Sequence, residues 1–182
     1  MTIREAVSER IQVHRSTVRL VRDDITELDV DAFVFYAQED LALGSGFGTA
    51  ISVRGGATIQ KELRELAPVA TGEAVVSAAG KLKANFIVHA VGPRFQEEDT
   101  EGKLRATVRN SLKRAEEKGV QRIAFPAMGA GYYGIARDLC ARVMLEEIRS
   151  YLQGETGIRE VVICVLDTPQ YDAFRAQLAT LS

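Results

Sequence analysis

The sequence predicts an α/β fold, a three-layer α/β/α sandwich around a mixed, mostly parallel central sheet of about six strands. Three observations predict it. Short apolar runs of strand length alternate along the chain with amphipathic stretches of helical period, the pattern of βαβ units. The runs 31–37 and 85–91 are almost continuously apolar, as in strands covered on both faces. Glycine-rich or acidic segments follow several of these runs, and in open α/β sheets ligands lie beyond the carboxyl ends of strands. At 182 residues the chain fits a single domain, 1–182, with residues 1–17 as an N-terminal extension of helix plus strand.

The elements follow in order. Residues 2–10 read as a short helix. Residues 11–13 and 18–21 alternate apolar side chains with polar ones and read as strand. Asp23 and Asp24 end that strand, and the apolar run 31–37 leads to Gln38, Glu39 and Asp40. A glycine loop, 44–49, precedes a helix over 50–53 that breaks at Gly55 and Gly56, and a second helix runs from about Thr58 to Leu66, before Pro68. A turn at Thr71 and Gly72 precedes a strand to Ala78, and the strand 85–91 closes at Gly92 and Pro93. Residues 94–102 are polar and read as a solvated loop. Leu104, Val108, Leu112 and Ala115 mark one helix face, with Gly119 as its C′ residue. After the strand Ile123, Ala124, Phe125 and a second glycine loop, a helix runs to Leu152 and a last strand covers 161–166. Thr168 and Pro169 read as N-cap and N1 of the final helix, whose apolar face carries Tyr171, Phe174 and Leu178.

A net charge of −2 argues against general nucleic-acid binding, which needs a basic face. It leaves room for a small anion held by backbone N–H groups, which carry no net charge. Cys140 and Cys164 lie in apolar patterns and read as small buried hydrophobes, without metal-ligand spacing. The N-terminus has no apolar export core and no stretch is long enough to span a membrane, so the expected setting is cytoplasmic.

The segment around which the rest is arranged is 122–147. A strand stops at Pro126, Gly129, Gly131 and Gly134 follow, and a helix begins. Glycines here let a ligand approach the backbone, and the helix start favours an anion. Residues 129–134 match G-x-G-x-x-G. That dinucleotide fingerprint normally opens its domain, however, and precedes an acidic residue about twenty positions on. Here it comes late and Asp167 is too distant.

In order and spacing these pieces resemble the macrodomain family of ADP-ribose-binding modules. The matching residues are Asp24 to Thr26, Asp31 to Val34, 44–51, 71–74, 87–93, 125–134 and 167–174, so the resemblance covers nearly the whole chain from Val18. It implies ADP-ribose as ligand, without a cofactor or metal, in a cleft across the sheet rim. The partner is then free ADP-ribose or an ADP-ribosylated macromolecule. Asp24 matches an adenine-binding aspartate, with the Ile25 N–H beside it. Gly46, Phe47, Gly48 and Thr49 match one phosphate loop; Gly129, Ala130, Gly131, Tyr132, Tyr133 and Gly134 match the other. Tyr133 corresponds to an aromatic near the distal ribose. Asp167 and Tyr171 fall at the adenine edge, where the helical spacing of Tyr171 also suits a core anchor. His89 lies in a strand to which the family gives no chemistry, and His14 is read as surface.

The hydrolytic branch of the family carries Asn-Ala-Ala-Asn where this chain has Phe35, Tyr36, Ala37 and Gln38. Gln38 takes the place of the asparagine that helps hold the distal ribose. Gly48 stands where that branch has a water-activating aspartate, and general-base help is worth about 10²–10⁴ in rate. The first reading is therefore a binding module with reduced or no turnover. The alternative is a hydrolase of mono-ADP-ribosyl protein, O-acetyl-ADP-ribose or ADP-ribose 1″-phosphate, with Glu39 or Asp40 as substitute catalytic groups. A third reading has the fold binding another nucleotide or RNA, or serving only as a scaffold, with Phe35 and Tyr36 narrowing the distal end in favour of a shorter ligand such as ADP.

Overall fold

The computed structural model describes residues 9–44, 47–94 and 96–181, with the backbone alone at Tyr132. One mixed sheet of seven strands runs through the molecule: β1 (Glu9–Val13), β2 (Ser16–Arg22), β3 (Ala32–Ala37), β4 (Ala74–Ala78), β5 (Phe86–Val91), β6 (Arg122–Phe125) and β7 (Glu160–Val165). Their order across the sheet is β1-β2-β7-β6-β3-β5-β4. The five central strands are parallel, and β1 and β4 pair antiparallel at the two edges. The carboxyl ends of β2, β7, β6, β3 and β5 therefore share one rim.

Two helices, α1 (Phe47–Gly55) and α2 (Ala57–Leu66), cover one sheet face; α3 (Thr100–Glu117), α4 (Arg137–Leu152) and α5 (Thr168–Leu181) cover the other. Strand alternation divides the core accordingly. Val34, Phe125 and Ile163 pack toward α3–α5, while Phe33, Ile87 and Val162 pack toward α1 and α2. The helix 104–115 ends as its sequence suggests. Gly119 has φ +73°, its N–H donates to the Glu116 carbonyl, and the Val120 N–H donates to the Ala115 carbonyl, a Schellman closure.

Four expectations shift. Glu9 and Arg10 belong to β1, paired with Leu20 and Arg19, so the helix expected over 2–10 does not reach them, and its earlier part lies outside the described residues. Helix α1 begins at Phe47, inside the first glycine loop, and not at Ala50. Helix α3 begins at Thr100, because Asp99 caps it by accepting from the Gly102 N–H at 3.3 Å. The cap of α5 is Asp167, which accepts from the Gln170 N–H at 2.8 Å, one residue before the expected Thr168.

Candidate functional site

The rim opens into a cleft of about 390 Å³ at the ends of β2, β7, β6 and β3. Of the expected residues, Ile25, Gln38, Phe47, Gly48, Gly129, Ala130 and Tyr133 line it. The two glycine segments thus face each other across one space. Gly46 lies outside the described residues. Thr49, Gly131 and Gly134 shape the walls without lining the cleft. The Thr49 hydroxyl donates to the Gly44 carbonyl at 2.9 Å, and residues 131–133 form a single 3-10 turn, with Gly134 (φ +80°) returning its N–H to the Gly131 carbonyl at 2.9 Å.

The two loops depend on glycine for different reasons. A Cβ on Gly129, at φ +81°, would meet the Ile135 side chain at 2.3 Å and the Tyr36 hydroxyl at 3.1 Å. A Cβ on Gly48 would lie 1.7 Å from the Leu43 carbonyl oxygen. The position that the resemblance matches to a water-activating aspartate therefore has no room for any side chain.

Asp24 follows β2 but is not among the cleft-lining residues, and its carboxylate is already engaged. Oδ1 accepts from the Thr26 N–H at 3.0 Å and hydroxyl at 2.7 Å, and Oδ2 accepts from Arg54 Nη1 at 2.7 Å. Arg54 and Thr26 hold its carboxyl below the usual range. It caps the short turn Ile25–Glu27, and Asp23 beside it lines the cleft. Tyr171 packs on the α3–α5 side of the core, whereas its neighbour Gln170 lines the cleft. Glu39 turns away, accepting from the Thr71 hydroxyl at 3.1 Å in a separate hollow of about 80 Å³ that shares Gln38 with the cleft. Asp40 Oδ1 accepts from the Ala42 N–H at 2.9 Å and closes its own turn. Neither carboxylate is among the cleft-lining residues.

Sequence reasoning missed the apolar β7 end. Cys164, Val165 and Leu166 line the cleft. Leu166 is 72% exposed, an apolar side chain held at the mouth, and its place directly after a strand was the available signal. Cys164 donates its S–H to the Asp23 carbonyl at 3.2 Å, and burial pushes its thiol up to about 12. At the β3 end, Phe35 and Tyr36 both line the cleft. Phe35 packs on Phe47 with centroids 5.9 Å apart. Tyr36 lies against Tyr133 at 4.9 Å, and its hydroxyl donates to the Pro93 carbonyl. His89 is fully buried, and His14 is exposed in the β1–β2 turn.

The start of one helix at Phe47 and Gly48 and the turn at Gly129 and Ala130 thus face each other at the strand rim of a parallel-centred α/β/α sandwich, the place where open α/β sheets take ligands. The chain belongs to the macro domain family, whose sequence model matches residues 36–144. An uncharacterized protein of Saccharolobus solfataricus is 40% identical over 163 residues, covering 87% of this chain and 90% of its own length. A macro domain-containing protein of Streptomyces coelicolor is 36% identical, covering 88% and 98%. Among solved structures, a mutant of the Oceanobacillus iheyensis macrodomain with ADPR superposes with a TM-score of 0.90 at 26% identity, covering 96% of this chain and 98% of that one. The Trypanosoma brucei macrodomain in complex with ADP-ribose superposes with a TM-score of 0.82 at 25% identity, covering 87% and 68%.

Proposed function

We propose that this protein is an ADP-ribose-recognition module that binds free or protein-linked ADP-ribose with little or no turnover. The observation that carries the reading is the start of α1 at Phe47 and Gly48 facing the glycine turn at Gly129 and Ala130 across the cleft, with neither Lys nor Arg among its described lining residues. A diphosphate there is held by backbone N–H groups and the start of α1. The adenine lies at the β2–β7 end, near Asp23, Asp24 and Gln170, and the terminal ribose lies toward Gln38 and Tyr133. Similar solved macrodomains that carry ADPR or ADP-ribose support the choice of ligand. The absent carboxylate at Gly48, with Glu39 and Asp40 facing elsewhere, supports binding over hydrolysis.

Isothermal titration calorimetry tests the reading. ADP-ribose is expected to bind with micromolar affinity, about −8 kcal/mol, and AMP far more weakly. Asp24→Ala should weaken binding by roughly 1.5–3 kcal/mol, the range for hydrogen bonds to a charged group. Release of ADP-ribose from a mono-ADP-ribosylated protein should match the buffer blank. No heat with ADP-ribose from a folded sample would overturn the reading, and measurable release would overturn its non-catalytic part.

A further inference from the structure

The β3 end of the cleft differs chemically from the rest. Strand alternation sends Phe35 and Tyr36 to opposite sides of the sheet, and each meets a second ring. Phe35 lies 5.9 Å from Phe47 at an interplanar angle of 33°, and Tyr36 lies 4.9 Å from Tyr133 at 62°. These four aromatic residues all line the cleft. A free terminal ribose brings several hydroxyl groups into this space, each of which needs a partner once it leaves water.

The polar side chains nearby are largely committed. The Tyr36 hydroxyl already donates to the Pro93 carbonyl. The His89 imidazole, edge-on to Phe35 at 6.1 Å, is engaged with Ser77 at 2.8 Å. Gln38 supplies the one side-chain amide among the described lining residues at that end. A site built to hydrogen-bond a hydroxyl rejects the analogue lacking it by orders of magnitude, whereas an apolar pocket discriminates weakly.

We infer that the ADP portion carries the affinity and that Phe35 is the residue setting terminal-group specificity, so that the site takes adenosine diphosphates with little regard to the sugar beyond them. This rests on the ADP-ribose reading above and changes what it means: the module reads the nucleoside diphosphate, and the aromatic end tolerates the terminal sugar instead of recognising it.

Calorimetry with ADP and ADP-ribose on one preparation decides it. The two affinities should agree within about threefold, the weak discrimination expected of an apolar wall. Phe35→Asn supplies an amide in place of a ring and should shift the ratio toward ADP-ribose by about five- to tenfold. A parent protein that binds ADP-ribose more than about tenfold tighter than ADP overturns the inference and leaves the ADP-ribose reading intact. Binding of neither ligand by folded protein overturns the ADP-ribose reading and this inference with it. The ratio in the parent decides the matter even where Phe35→Asn does not fold.

Discussion

Gly48→Ala is expected to lower stability by about 3 kcal/mol, the upper part of the ordinary range for forcing atoms into filled space. The added Cβ would lie 1.7 Å from the Leu43 carbonyl oxygen and 2.6 Å from its carbon. The obstacle is backbone, so no rotamer change relieves it. The segment between Leu43 and the first turn of α1 has to move, and it is tied down. The Leu43 N–H donates to Gln60 Oε1 at 2.9 Å and the Thr49 hydroxyl donates to the Gly44 carbonyl at 2.9 Å, each worth about 1 kcal/mol. Urea unfolding reads the loss as a lower midpoint with an unchanged slope. Because the same segment walls the cleft, the folded fraction should also bind ADP-ribose at least roughly tenfold more weakly, or 1.4 kcal/mol.

Gly48→Asp should be destabilised at least as much and should gain no hydrolytic activity, since its carboxylate cannot be placed without moving Leu43. Gly131→Ala is the contrast. Its Cβ meets nothing within 4 Å, and only the positive φ of +77° opposes it, at about 1–2 kcal/mol. A Gly48→Ala protein as stable as its parent would refute the close approach of Leu43 to α1.

The sheet was legible in the sequence because β3, β5 and β7 are nearly continuous apolar runs and β2 alternates apolar with polar residues, and the rim was legible because glycine and acidic residues follow the runs. What escaped depends on contacts distant in sequence. Glu9 and Arg10 are strand only because Leu20 and Arg19 lie opposite them; alone, the polar stretch carries a helix-like pattern. Phe47 starts a helix among glycines of low helix propensity because its ring is anchored on Phe35. Asp24 was visible as a strand-end carboxylate, but its partner Arg54 lies 30 residues on. The helical spacing of Tyr171 suggested both cleft and core, and packing selects core for Tyr171 and cleft for Gln170. Glu39 and Asp40 differ from Gln38 only in where a turn points them, which periodicity does not encode.

His89 should contribute strongly to the acid sensitivity of the fold. The Ser77 hydroxyl donates to the Ala78 carbonyl at 2.9 Å, so it receives the Nε2–H of His89 at 2.8 Å. The Nδ1 lone pair is then buried without a hydrogen-bond partner, beside Phe35. Protonating Nδ1 would place a cation and an unpartnered N–H in an apolar interior, and burial pushes the imidazole down to about 3 from its usual 6.5. In the unfolded chain it titrates near the usual value. Between about pH 6.5 and pH 3 the unfolded state therefore binds more protons, and stability falls as pH falls, by about 1.4 kcal/mol per unit. At pH 4.5 the loss is roughly 2–3 kcal/mol relative to neutral pH. His89→Leu removes the titrating group and leaves the Ser77–Ala78 bond in place. Urea unfolding at pH 7.5 and 4.5 should show a drop in the parent that exceeds the drop in the variant by about 2–3 kcal/mol. Parallel pH profiles would show that His89 takes up its proton in the folded state. That result would require an acceptor for Nδ1, and the Phe35 wall of the cleft would then be backed by a polar neighbour in place of a dry one.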